Sequence, residues 1–249
     1  MDMHRPKPVH GWRELLREFG IIVLGVLTAL SAEQAVVAIH SHYAAAEARE
    51  AIRAEIRQNL SFMRARMATQ SCIERRLDEI GDLLSKAAEG PLAPRPSWVG
   101  QPSVWALGTQ RWEVATNSGR TSLFDVGEQE RFSRIYVTAA RFTDAEVAEQ
   151  QAWAQLRGLE TWEGPLGSAG RVHFLSALQT ARYELWETRV AMDVAAQRAS
   201  ALGIQGNMAT AIDKSQHVPH AVCLPSNTPR ARALTLLQDS NSAKWGQPK

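Results

Sequence analysis

Residues 19–39, FGIIVLGVLTALSAEQAVVAI, form an apolar run of 21 residues interrupted only by Glu33 and Gln34. A helix of about 20 apolar residues crosses the hydrocarbon core of a bilayer. A run this long, so near the N-terminus, constrains the chain more than any other feature. Arg5, Lys7, Arg13 and Arg17 precede it, whereas residues 40–48 carry no Lys or Arg and the next is Arg49. By the positive-inside rule this asymmetry predicts a cytoplasmic N-terminus and an exported remainder. Residues 10–19, with Trp12 near the inner boundary, are expected to form a short amphipathic lead-in. The competing reading is a cleaved leader, cut after Ser31 in the small-x-small pattern Ala29-Leu30-Ser31. The apolar run through Val36, Val37 and Ile39 favours an uncleaved anchor, and either reading exports the domain.

Within the run, Gly25, Ala29, Ala32 and Val36 share one helical stripe, flanked by Thr28 and Ala35. Small residues at this spacing let two membrane helices approach closely, although they are also simply common in such helices. Glu33 lies fourteen residues after Phe19, about 21 Å along a helix. That places it in the outer leaflet near the interface, where it either snorkels to the headgroups or meets a partner.

The core Gly25-Val26-Leu27-Thr28-Ala29-Leu30-Ser31-Ala32-Glu33-Gln34 resembles the N-terminal segment of uncharacterised bacterial single-pass membrane proteins. Those proteins share a G-[VI]-L-x-A-L-x-A-E-Q-like core followed by a long charged helix. More distant proteins, classed as a domain of unknown function, are similar in reading G-I-L-I-A-L at the same place. The likeness to the nearer group extends to Trp98, the Trp105 region and the stretch Gln151-Ala152-Trp153-Ala154. The resemblance implies single-pass topology and helical architecture, and no activity.

The rest of the chain predicts an all-α domain. Period-2 runs of β-branched residues are nearly absent, and good helix formers dominate the middle of the chain. From 41 to 88 there is no Pro and one Gly, Gly81, while Ile52, Ile56, Leu60, Met63, Met67, Ile73, Leu77, Ile80 and Leu84 recur at helical spacing. One long helix continuing the membrane span is expected, with Arg49, Arg53, Arg57, Arg64 and Arg66 on its solvated face. Glu89-Gly90-Pro91 ends it, and a proline-rich linker leads to a second helix from Ser103, its N-cap, to about Asn117. The sequence Asp125-Val-Gly-Glu128 predicts a capped start of a third helix reaching about Glu163, with a restart possible at Thr143. Phe132, Ile135, Tyr136, Ala139 and Phe142 would form its inner face. A fourth helix is expected from Ser168 to Leu202, its face carrying Val172, Leu175, Leu178, Leu185, Trp186 and Met192, with Gly203 closing it. The organisation is therefore a lead-in (1–18), a membrane helix (19–39), an exported, antiparallel, roughly four-helix bundle (40–203) and a turn-rich tail (204–249). The tail holds one short helix after the Thr228 cap and Pro229.

Candidate chemistry is sparse. Cys72 and Cys223 are the only cysteines, and in an oxidising compartment such a pair predicts a disulfide, with free thiols or intermolecular bonds as the alternatives. His217, His220 and Cys223 form an H-x2-H-x2-C pattern that offers metal ligands, but no fourth ligand accompanies it. Trp105, Trp112, Trp153, Trp162 and Trp186 are candidates for core packing, a protein interface or a ligand cavity. Trp105 and Trp112, seven apart, are expected on one helix face. The chain has no G-x-S-x-G elbow, H-E-x-x-H, P-loop or G-x-G-x-x-G pattern. With a formal charge of +2 from 28 basic and 26 acidic residues, nothing marks a nucleic-acid surface. The sequence thus predicts a non-enzymatic, membrane-anchored interaction protein without cofactor, acting as a homo-oligomer or an accessory subunit. A ligand-sensing bundle and an enzyme with an unfamiliar site are the alternatives.

Overall fold

The computed structural model describes residues 11–87, 92–206 and 221–244, and among them every regular element is a helix and none is a strand. The predicted ligands His217 and His220, Gly90 and Pro91 of the first turn, and Trp245 lie outside the described residues. Helix α1 (Trp12–Met67) runs 56 residues, about 84 Å at 1.5 Å per residue. Every residue from 11 to 40 is exposed, and burial begins at Ala45. The helix therefore has two halves: an apolar rod that touches nothing else in the described chain, and a strut whose Ile52, Ile56, Leu60 and Met63 enter a core.

The expected single helix from 41 to 88 is two helices. Ala68 and Thr69 separate α1 from α2 (Gln70–Lys86). Thr69 Oγ1 donates to the Arg66 carbonyl at 2.8 Å, and the Thr69 carbonyl accepts the first bonds of α2 from Cys72 and Ile73. A hydroxyl that competes for helix carbonyls favours such a joint over a helix interior. The break falls where the apolar spacing lengthens to six residues, between Met67 and Ile73.

The expected second helix starts later than Ser103. Residues 92–109 contain no helix, and α3 covers only Gln110–Asn117. Pro94, Pro96 and Pro102 cannot donate to a helix, and side chains and backbone from elsewhere satisfy the backbone groups of the segment. The Ser97 and Trp98 N–H groups donate to the Ser226 carbonyl, and the Val99 N–H to Glu160. Gln150 donates to the Pro102 carbonyl, and Asn59 exchanges two 2.8 Å bonds with the Gly108 backbone. Glu55 of α1, rather than Ser103, caps α3 by accepting from the Arg111 and Trp112 N–H groups.

A short 3-10 turn (Arg120–Leu123) leads to α4 (Val126–Leu156). Its cap is the predicted one, with the Asp125 carboxylate accepting from the Glu128 N–H at 2.9 Å. The helix runs through Thr143 without restarting, ends at Leu156 and passes into a 3-10 turn to Glu160. Helix α5 (Gly167–Ser200) ends with Gly203 at φ 67°, its N–H on the Ser200 carbonyl and the Ile204 N–H on Ala199. That is a Schellman closure, and it needs the left-handed conformation that glycine adopts without strain. A 3-10 turn (Ala221–Cys223) and α6 (Arg230–Lys244) complete the described chain; α6 starts one residue after Pro229.

Helix α4 runs in the same direction as α1, as the pairs Arg49–Glu128, Glu55–Tyr136 and Arg66–Glu149 show. Helix α5 returns along α4, with Arg141 on Glu187 and Arg198 on the Arg134 carbonyl. The core is divided lengthwise. One cluster joins α1, α3 and the adjoining halves of α4 and α5; the other joins α2, the far halves of α4 and α5, and the tail at Val222. The buried face of α5 keeps Leu178 and Leu185 of the expected one, with Leu175 and Met192 packed against the core, and departs from it at two positions. Val172 and Trp186 are exposed, while Phe174, Ala177, Ala181, Ala191, Ala195 and Ala199 face inward. Alanines let α4 and α5 pack closely.

Candidate functional site

The residues expected to pack a membrane helix, Gly25, Ala29, Ala32, Glu33 and Val36, all lie on the exposed rod of α1. A Cβ added at Gly25 would meet nothing, so the stripe is an open surface in this single chain. The rod is the one described helix long and apolar enough to cross a membrane.

Cys72 and Cys223 are brought together, with their Cα atoms 5.0 Å apart and their sulfurs at disulfide distance, 2.15 Å. The bond sits beside a second fastening that the sequence did not reveal. The buried Arg76 guanidinium donates to the carbonyls of Trp98, Val99 and Leu224, and its fourth contact is Glu79 at 2.9 Å. Burial lowers the Arg76 pKa, with Glu79 opposing that shift. Trp98 Nε1 donates to the Ala221 carbonyl at 2.7 Å, and Glu160 holds both the Val99 N–H and Arg230. Gly100 permits this close contact: at φ 74° a Cβ there would come within 2.5 Å of the Ala221 carbonyl oxygen.

The five tryptophans do not line a common cavity. Trp153 is buried in the core, Trp162 packs edge-on against Phe174, and Trp112 stacks on Tyr136 at 5.4 Å. Trp186 is exposed beside Tyr183. Trp105 is not helical, so it shares no helix face with Trp112; it stacks on Phe62 of α1 at 5.3 Å. A groove of about 320 Å³ between α2 and residues 93–99 is lined by none of the five, and one of about 300 Å³ between α2 and α5 is lined by Trp186 alone among them. Among the described residues no three His, Cys, Asp or Glu side chains gather as metal ligands, and Cys223 belongs to the sulfur pair.

The most unusual chemistry lies between the two halves of the core. Arg66, assigned by its sequence to a solvated face, is 0 % exposed, and so is its partner Glu149. Its fellow arginines are engaged as well: Arg49 with Glu128, Arg53 with the Leu202 carbonyl and Arg64 with the Gly206 carbonyl, while Arg57 alone keeps a surface pair, with Glu50. Arg66 Nη2 donates to Glu149, and its Nε stands 3.7 Å from Glu146 Oε1. Trp153 Nε1 also donates to Glu149. Thr69 and Thr188 are buried as well. Arg66 Nε and Nη1 and both Glu146 oxygens lack a hydrogen bond of normal geometry. The Trp105 backbone N–H still favours the charged form of Glu146.

One cation thus faces two carboxylates in a dry layer, which leaves one negative charge in excess. An uncompensated buried charge is costly, and a carboxyl relieves the cost by keeping its proton. Burial pushes Glu146 up to about 7, against the pull of Arg66 and the Trp105 N–H and with a further push from Glu149; burial raises Glu149 too. The folded chain therefore holds a proton that an ordinary carboxyl releases near pH 4.5. Its contribution to stability is complete below that pH and is lost as the pH rises through about 7, an effect of roughly 3 kcal/mol. Unfolding free energies of Glu146→Gln compared with the unmodified chain across pH 5–8 should show this slope in the unmodified chain alone. Equal slopes would refute the assignment.

Comparison with family models, with curated proteins and with solved structures finds no match for this chain.

Proposed function

We propose that this chain is a non-enzymatic interaction protein of the bacterial inner membrane, anchored by α1 with its N-terminus in the cytoplasm and its bundle in the periplasm. It works as a homo-oligomer or as an accessory subunit of a membrane complex. The observation that carries this reading is the rod of α1. Thirty consecutive exposed residues, 11–40, include an apolar run of membrane length that meets no other part of the described chain. In water so large an exposed apolar surface would aggregate, and in a bilayer it is at home. The orientation rests on the basic residues before the run and their absence just after it. A disulfide between Cys72 and Cys223 fits the oxidising side of that membrane. The fold class in this reading is an antiparallel bundle in which α1 with α2, α4 and α5 are the long members and α3 with its extended approach forms the fourth. The dispersed tryptophans weaken the ligand-sensing alternative, because they enclose no shared space for a ligand.

The stripe Gly25, Ala29, Ala32, Val36 and the adjacent Glu33 are the proposed contact in the bilayer, and the bundle makes contacts outside. Gly25→Leu and Glu33→Leu should each lower the mass of the complex recovered in mild detergent, measured by light scattering. An unchanged mass in both variants would sink the helix contact while leaving the anchor intact.

A further inference from the structure

We propose that the Arg66–Glu146–Glu149 layer is a proton-operated latch, and that loss of the Glu146 proton lifts the strap of residues 101–109 from the side of the bundle. The groups facing Glu146 come from each element around it. Arg66 belongs to α1, Glu149 to α4 itself, and the Trp105 backbone N–H to the strap. From α5, Glu184 adds negative charge next to Glu149. The buried cation of α2, Arg76, is committed to carbonyls of other segments. Among the described residues no second cation therefore answers the second carboxylate.

When both carboxylates ionise, the layer must admit water, because two anions against one guanidinium cannot be satisfied dry. Its α4 and α5 walls are helices with continuous backbone hydrogen bonding, and its α1 wall ends at the Ala68–Thr69 joint, where Thr69 Oγ1 holds the Arg66 carbonyl. The strap, QPSVWALGT, carries no charged side chain and no helix. Side-chain contacts hold it, among them Gln150 on the Pro102 carbonyl, the Trp105 ring on Phe62, Asn59 on the Gly108 backbone, and Leu107 against the neighbouring core cluster. Gln150 stands next to Glu149 in the chain, so one anchor belongs to the charged turn of α4 itself. Lifting the strap wets the layer and uncovers Phe62 and Trp105, an apolar surface on the flank of the bundle.

The size of the response follows from proton linkage. The closed form binds one proton more than the open form wherever the open carboxyls are ionised and Glu146 is not, so each unit of pH rise toward about 7 multiplies the open fraction by up to tenfold. The test is hydrogen–deuterium exchange of the full chain in dodecyl maltoside micelles at pH 5.5 and pH 8, with rates corrected for intrinsic exchange. Protection of peptides covering 101–109 should fall at least tenfold at pH 8 while the middles of α4 and α5 stay protected. Glu146→Gln, which cannot ionise, should keep the strap protected at both pH values. Should that variant lose its helical circular dichroism, Glu149→Gln takes its place with the same expectation. Equal protection of the unmodified strap at the two pH values would overturn the proposal. So would an undiminished fall in a folded variant, which would assign the response to another group. Because the readout is local and made in micelles, it stands apart from the orientation of the chain in a membrane.

Discussion

Arg66→Met is expected to destabilise the bundle by about 3–5 kcal/mol, the cost of breaking a buried ion pair by removing one partner. The methionine fills much of the volume, so the loss is electrostatic. Glu146 and Glu149, both essentially inaccessible, would be left without the cation that opposes them. They must then both take up protons, draw in water, or unfold the layer. The sign of a second experiment follows from the same argument. Combining Arg66→Met with Glu146→Leu and Glu149→Met removes all three charges, and it should recover most of the loss or exceed the starting stability, as apolar replacement of buried ion pairs often does. Thermal unfolding followed by circular dichroism in mild detergent reads both. A single variant as stable as the parent, or a triple variant no better than the single, contradicts the account of this layer.

Cys72→Ala with Cys223→Ala is the second large effect. The two residues close a loop of 151 residues, for which the chain-entropy model gives a contribution of ~5 kcal/mol. The measured loss should fall between about 2 and 5 kcal/mol, because Arg76 and Glu160 continue to hold residues 97–99 and the tail together. The damage should also be local. Limited proteolysis should cut first within residues 221–230, before any cut in α4 or α5. Loss of helix throughout the bundle at 25 °C, or no change in proteolysis at the tail, would mean that the fastening is placed elsewhere.

Much of this architecture was legible because its causes are local. The apolar run of 19–39, the Asp125 cap and the Gly203 closure each depend on a few neighbouring residues, and each appears where the pattern put it. The stripe from Ile52 to Leu84 is buried except at Met67, next to the Ala68–Thr69 joint, and the irregular spacing there was the only sign of the break. The strap was illegible because Asn59, Gln150 and Phe62, on helices remote in sequence, decide its conformation. Ser103 looked like a helix cap because nothing local said that the backbone of the following residues would be satisfied from α1 and α4.

The buried charges were missed for a different reason. Arginines and glutamates at helical spacing look alike whether they face water or each other. A signal was nevertheless present in register. Arg66 falls three residues after Met63 and seven before Ile73, in line with the buried stripe. Glu146 and Glu149 continue the sequence Ile135, Ala139, Phe142 toward Trp153 on the inner face of α4. Opposite charges occupying the apolar register of two helices are better read as partners than as solvated groups. On α5 residue size misled in the other direction, since Val172 and Trp186 are exposed and small alanines carry the contact.

The central claim, that the α1 rod is a membrane anchor holding the bundle outside the cytoplasm, is tested most directly by protease added to intact spheroplasts expressing the full chain. The account predicts digestion of the segments beyond residue 40, the residue 92–109 stretch among them, with an N-terminal fragment containing 19–39 retained in the membrane after carbonate extraction. A bundle protected until the spheroplasts are lysed, or a chain released intact by carbonate, would contradict it.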